Sequence, residues 1–149
     1  YLNMTSIICE KMAEHRKNTD SFFNGLFLVA AIYDIVLGLI FFFFYKQTYQ
    51  YFGMTLPDSP MYLQMAAAFV IAMGVGYYFV YRNLYRNIDL VKLGVVYKLV
   101  YSGLTSYFYF TDLANITFFW FAIFDAIFLL LFVWFLVYAK KDGRYLKWK

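Results

Sequence analysis

The chain is poor in the residues that most redox, metal and nucleotide sites require. Its 149 residues include one cysteine, one histidine and two prolines, and only 15% are charged. The lone Cys9 excludes an internal disulfide and a Cys-x-x-Cys redox pair, and the lone His15 excludes a bis-histidine haem. No Cys/His cluster indicates zinc or iron–sulfur ligation, and no glycine-rich nucleotide loop is present. The sequence therefore predicts a protein with no catalytic residues, no metal and no cofactor.

Apolar and aromatic residues are abundant instead. Hydrophobic residues make up 64% of the chain and aromatic residues 26%, whereas soluble domains are about 45–50% apolar. A soluble domain of this length could not bury so much apolar surface. The net charge of +4 comes from basic residues between and beyond the apolar runs, which is not typical of a nucleic-acid-binding patch. The sequence predicts an integral membrane protein in contact with the lipid bilayer, with no nucleic-acid partner.

Four apolar segments are long enough to cross a hydrocarbon core of about 30 Å. They cover approximately residues 21–45, 60–81, 89–110 and 116–139. The connections between the later segments are short, which favours antiparallel neighbours. The predicted fold is all-α, a polytopic membrane protein with an antiparallel bundle of four transmembrane helices.

The four segments divide the chain into three regions. Residues 1–20 form a cytoplasmic lead-in, either polar or folded as a short interfacial helix, residues 21–139 form the membrane domain, and residues 140–149 form a basic cytoplasmic tail. The lead-in lacks the regions of a secretory signal. The missing initial Met indicates that the chain begins inside a longer product or was processed.

The basic residues predict the orientation. Eleven of the thirteen Lys and Arg residues fall in the lead-in, the second connection or the tail, with Lys46 on the opposite side and Lys98 inside a span. The positive-inside rule then places both termini in the cytoplasm. The basic residues expected at the membrane surface include Arg82, Arg86, Lys140, Lys141 and Arg144.

Three charged residues occur within the spans, at similar predicted depths. Lys98 lies near the middle of the third span, and Asp34 and Asp125 lie near the middle of the first and fourth. A charge at the bilayer centre costs about 2.5–3.5 kcal/mol on insertion scales, so such residues usually pair. We therefore expect Lys98 within salt-bridge distance of Asp34 or Asp125. The neighbours expected to contribute polar groups are Tyr33, Tyr101 and Ser102.

Two interpretations of this cluster stay open. In the structural one, Lys98 neutralises one aspartate and fixes which helices meet. In the functional one, the surplus carboxylate exchanges a proton or anchors a ligand. Gly74, Gly76 and Gly94 are predicted to permit close helix packing, although Gly74 and Gly76 could instead open space beside Lys98 for a ligand or water.

Several short motifs resemble a known family. They are YD at 33–34, YFGMTLP at 51–57, GVGYY at 74–78 followed by YRNLYRN at 81–87, and KLGVVYKLVYSG at 92–103. Together they resemble the DoxX-like small four-helix membrane proteins of bacteria, over most of the chain from Phe22 onward. The resemblance implies a four-helix bundle in a bacterial inner membrane. It assigns no active-site residue.

Three functions are compatible with these features. The first is a non-catalytic accessory or scaffolding subunit of a larger membrane assembly. The second is a binder of a lipid- or quinone-like ligand, and the third is a proton-coupled small transporter, acting as a homo-oligomer. A cavity that reaches the Asp/Lys cluster would favour the last two, whereas a tightly packed interior would favour the first.

Overall fold

The computed structural model describes residues 2–143, with side chains from Ser6 onward. Within that range the chain is all-α. Its five helices are α1 (Leu2–Phe43), α2 (Tyr45–Tyr51), α3 (Met61–Arg82), α4 (Ile88–Phe110) and α5 (Ile116–Lys141). Helices form throughout the apolar runs because a helix satisfies its own backbone hydrogen bonds without water.

Three of the helices, α1, α3 and α5, are long and apolar enough to be candidate membrane spans. This supports an integral membrane protein. Helix α4 has 23 residues, a length similar to that of α3, but Lys98 and several Tyr, Ser and Thr residues make it less apolar. The expected four-span arrangement is thus shown only for three helices.

Helix α1 is longer than the sequence predicts. Its 42 residues extend for about 63 Å at 1.5 Å per residue, twice the thickness of a hydrocarbon core. Residues 2–20 continue the helix without a break, rather than forming a separate short helix. No Gly or Pro interrupts the chain before Gly25, and residues 6–18 are exposed.

The connections also differ in one place from the predicted pattern. The predicted segments 21–45 and 60–81 leave residues 46–59 as a connection, but α2 occupies Tyr45–Tyr51, since the first helix breaker after Phe44 is Gly53. At the start of α5, the Asn115 side chain accepts a hydrogen bond from the backbone N–H of Thr117 at 2.9 Å. Such a cap satisfies a donor that the helix itself leaves unpaired.

One end of the bundle brings together three parts of the chain. The Asp20 carboxylate of α1 accepts hydrogen bonds from the hydroxyl of Tyr85, in the α3–α4 connection, and from that of Tyr138 on α5. Arg16 forms a 3.1 Å ion pair with Asp142, just beyond α5. The N-terminal half of α1, the α3–α4 connection and the end of α5 therefore lie at the same end.

We call this end the basic end, because the predicted surface cations of the described residues are there: Arg82, Arg86, Lys140 and Lys141. Arg144, predicted to join them, lies outside the described residues. Lys46 is on α2, at the opposite end.

Helices α1 and α3 approach each other through small residues. A Cβ added to Gly74 would lie 2.9 Å from the backbone nitrogen of Ile35, and one added to Gly38 would lie 2.9 Å from the carbonyl oxygen of Ala67. The prediction that Gly74 packs against another helix is confirmed. The prediction for Gly76 is wrong, because a Cβ there would meet nothing within 4 Å. Residues i and i+2 of a helix lie about 200° apart around its axis, so Gly76 faces away from the contact that Gly74 makes with α1.

The interior of the basic half is filled with aromatic rings. Phe23 and Phe27 of α1 and Phe132 and Phe135 of α5 are fully buried. Ring centroids are 4.9 Å apart for Phe27 and Phe132, and 5.1 Å apart for Phe23 and Phe135. This aromatic cluster joins α1 to α5 in that half of the bundle.

Candidate functional site: a charged centre beside a cavity

The three charged residues of the spans meet inside the bundle. Lys98 Nζ lies 2.6 Å from Asp125 Oδ1 and 3.2 Å from Asp34 Oδ1, and 3.4 Å from Asp34 Oδ2. Lys98 is fully buried, and Asp34 and Asp125 are 1% and 5% exposed. The predicted ion pair is confirmed, and Lys98 contacts both acids rather than one. The centre joins α1, α4 and α5.

Aromatic rings enclose the ammonium group of Lys98. Four ring centroids lie 5.4–5.9 Å from Nζ, those of Tyr33, Tyr77, Tyr97 and Phe128. A cation within about 6 Å of an aromatic face is attracted by the ring quadrupole. Because Tyr77 belongs to α3, all four long helices contribute to the surroundings of Lys98.

Gly94 makes one of these contacts possible. A Cβ at this position would lie 2.7 Å from Cε1 of Tyr77 and 2.8 Å from its hydroxyl oxygen. The predicted packing role of Gly94 is confirmed, and its partner is this tyrosine side chain. The glycine lets the Tyr77 ring lie against α4, one turn from Lys98.

The other residues expected at the site divide between three roles. Tyr33 places its ring near Lys98, whereas Tyr101 lines a cavity next to the two aspartates. The Ser102 hydroxyl instead donates a hydrogen bond to the carbonyl oxygen of Ala122 at 3.1 Å. Ser102 therefore links α4 to α5 and does not belong to the charged centre.

The cavity lies on the side of the centre away from the aromatic cluster. It has a volume of about 100 Å³ and is lined by residues of α1, α3, α4 and α5, including Asp34, Phe41, Tyr97, Tyr101, Phe121 and Asp125. Lys98 is not among its lining residues. The cavity therefore borders both aspartates of the centre but not Lys98.

The cavity extends from the two aspartates toward the end opposite the basic end. Phe41 and Phe121, which line the cavity, lie one to two helical turns from Asp34 and Asp125 in the direction of the end opposite the basic end. Toward the basic end, Phe27 and Phe132 each lie seven residues from the aspartate of their helix, about 10 Å away. Both rings are fully buried. Ala66 of α3 lines the cavity and is also exposed at the bundle surface.

Two hydroxyl groups near the centre are buried without a hydrogen-bond partner among the described residues, those of Tyr33 and Tyr77. Buried polar atoms in native proteins are nearly always paired with protein, water or ligand. The aromatic surroundings of Lys98 therefore hold hydrogen-bonding capacity that the side chains present do not use.

Several residues of the site could not be selected from the sequence. Tyr77 and Tyr97 were part of apolar runs rich in tyrosine, and only the helix phase relative to Lys98 distinguishes them. Gly38 was visible four residues after Asp34, and Ala31–Gly38 and Ala67–Gly74 share a seven-residue spacing of small residues. That spacing was the available signal for the α1–α3 contact.

No family model, curated protein or solved structure matches the chain. The resemblance to DoxX-like proteins accordingly stays a prediction.

Proposed function

We propose that the protein is an integral membrane protein that binds the polar head of a small amphipathic molecule at the Asp34–Lys98–Asp125 centre. The observation that carries this proposal is the cavity next to both aspartates. A centre needed only for helix pairing requires no space beside it. The cavity volume of about 100 Å³ equals that of about three water molecules, which suits a head group of a few heavy atoms. The chain of the ligand would extend toward the bilayer near Ala66.

The proposal includes α4 as a fourth span. Its length is adequate for a hydrocarbon core of about 30 Å, and its one charge at mid-helix, Lys98, is neutralised inside the bundle. Its remaining charges, Asp89 and Lys92, lie in its first turns and form a 2.6 Å ion pair. With four spans, the basic end faces the cytoplasm by the positive-inside rule. This arrangement agrees with a DoxX-like bundle in a bacterial inner membrane.

Binding is favoured over transport by the asymmetry of the interior. Transport through the centre would need a second opening, and the aromatic cluster fills the half of the bundle toward the basic end. The role of an accessory subunit in a larger assembly stays a prediction, and so does a homo-oligomer. The exposed aromatic and aliphatic residues of a membrane protein suit contact with lipid as well as with another subunit.

The test uses a cavity-filling variant and a matched control. Val70 of α3 lines the cavity, whereas Val75 of the same helix is 39% exposed on its outer surface. Val70→Trp fills the space beside the aspartates, and Val75→Trp adds the same side chain outside the bundle. The probes are decylubiquinone and three decyl amphipaths with ammonium, hydroxyl and carboxylate heads, bound to purified protein in maltoside micelles.

We expect saturable binding of at least one probe to the unmodified protein and to Val75→Trp, and loss of that binding in Val70→Trp. Circular dichroism checks that both variants keep their helix content. Binding that persists in a folded Val70→Trp variant, or four probes that all fail to bind the unmodified protein, would overturn the proposal.

A further inference from the structure

The charge balance of the centre indicates which head group it would take. Asp34 and Asp125 supply two carboxylates and Lys98 supplies one ammonium group, so the ionised centre has a surplus of one negative charge. Each of the three residues is at least 95% buried. An unbalanced charge at this depth is strongly disfavoured unless another group neutralises it. Either a proton or a ligand cation must do so.

Among ligand head groups, the position of the surplus charge favours a cation. Lys98 is enclosed by its four aromatic rings and does not reach the cavity, whereas both carboxylates line it. A head group in the cavity therefore meets acceptors and negative charge. An anionic head would be repelled there, and a neutral carbonyl would lack the ammonium group as a donor.

The contacts to Lys98 single out one carboxylate. Asp125 is held at 2.6 Å, while both oxygens of Asp34 lie farther away, at 3.2 and 3.4 Å. The contact of Lys98 with Asp34 is therefore the longer and weaker of the two, and it is the one that a second cation would more readily replace. The remaining wall of the cavity is mostly apolar or aromatic, and a dry wall strengthens an ionic contact.

On these grounds we infer that the site binds a monocationic amphipath, a primary ammonium or similarly small organic cation with an aliphatic chain, and that Asp34 is its main ionic partner. This inference deepens the proposed function and rests on it. Tyr97 and Tyr101 supply further oxygen atoms and ring faces at the cavity wall, and ring faces also attract cations.

The experiment measures saturable binding of radiolabelled decylammonium to the full chain in maltoside micelles, whose uncharged heads do not compete. Unlabelled decanol and decanoate, with the same chain length, serve as competitors. We expect decylammonium to bind and the two competitors to displace it at least about ten-fold less effectively than unlabelled decylammonium, since each lacks the charge-assisted contact.

Asp34→Asn removes the surplus charge but keeps the Lys98–Asp125 pair, so the variant retains a balanced centre and is expected to fold. Its affinity for decylammonium should fall at least about ten-fold, whereas Asp89→Asn, at an exposed acid of the same protein, should leave it unchanged. Equal displacement by decanol, or full affinity in Asp34→Asn, would overturn the inference while leaving the proposed function intact. Unaltered binding in Val70→Trp would instead overturn the proposed function.

Discussion

Replacing Lys98 by methionine provides the most direct measure of what the charged centre contributes to stability. The substitution keeps an unbranched side chain of similar length and removes the ammonium group. Two buried carboxylates then lose their common partner, and each must be neutralised in another way. Breaking a buried pair by removing one partner costs about 3–5 kcal/mol. We expect a loss of that size in the free energy of unfolding.

The aspartate variants should cost less. Asp125→Asn leaves Lys98 with Asp34, and Asp34→Asn leaves it with Asp125, so each variant keeps one acid and one base. What is lost is a hydrogen bond to a charged group, worth about 1.5–3 kcal/mol, and removal of the surplus negative charge offsets part of that loss. The charge count thus predicts an order in which Lys98→Met is the most destabilising single substitution of the three. Combining all three substitutions should recover part of the loss, because no charge is then stranded.

The assay is unfolding of the purified protein in mixed micelles with increasing SDS, followed by far-UV circular dichroism. Lys92→Met is the matched control, since Lys92 is on the same helix and its pair with Asp89 is exposed. An exposed pair is worth about 0–1 kcal/mol. If Lys98→Met were as stable as Lys92→Met, or more stable than either aspartate variant, the argument from charge balance would be refuted.

Three further predictions follow from packing and orientation. Gly74→Leu should lower the unfolding midpoint in the same assay and Gly76→Leu should not, because only Gly74 lies against α1; equal midpoints would contradict the packing. Gly94→Ala should displace the Tyr77 ring from α4 and lower stability by about 1–3 kcal/mol through overpacking, whereas an unchanged unfolding curve would show that the ring moves freely. Cysteine at position 143 should react with a membrane-impermeant maleimide only after the cells are opened, and labelling of intact cells would contradict a cytoplasmic basic end.

The sequence predicts the helical segments and the charged centre because both follow from rules of depth and length. A charge in hydrocarbon must pair, and 1.5 Å per residue places Asp34, Lys98 and Asp125 at one depth. The sequence does not determine how the helices are rotated. Gly74 and Gly76 are equally small, and only the rotation of α3 decides which of them meets a neighbour.

The cavity was not predictable for a related reason. Its existence depends on how four helices with large aromatic side chains fill the space between them, and small differences in packing decide between a filled and an empty half. The same residue types, mostly Phe, form the aromatic cluster toward the basic end and part of the cavity wall toward the other. The continuity of α1 also differs from the sequence prediction, because polar composition does not end a helix and residues 2–24 contain no Gly or Pro.

The lengths of the Lys98 contacts suggest how stability and binding are divided between Asp34 and Asp125. Asp125 forms the shorter ion pair with Lys98, at 2.6 Å, and this pair is sufficient to join α4 to α5. Asp34 adds longer contacts and the charge that leaves the centre unbalanced. A second acid is unnecessary for an ion pair and costs desolvation, so its presence beside a cavity is better explained by a ligand than by packing. The two substitutions should therefore have different effects. Asp34→Asn should mainly lower the affinity for decylammonium, whereas Asp125→Asn should lower the free energy of unfolding more than Asp34→Asn does. Equal effects of the two substitutions on both quantities would mean that the carboxylates act as one structural unit.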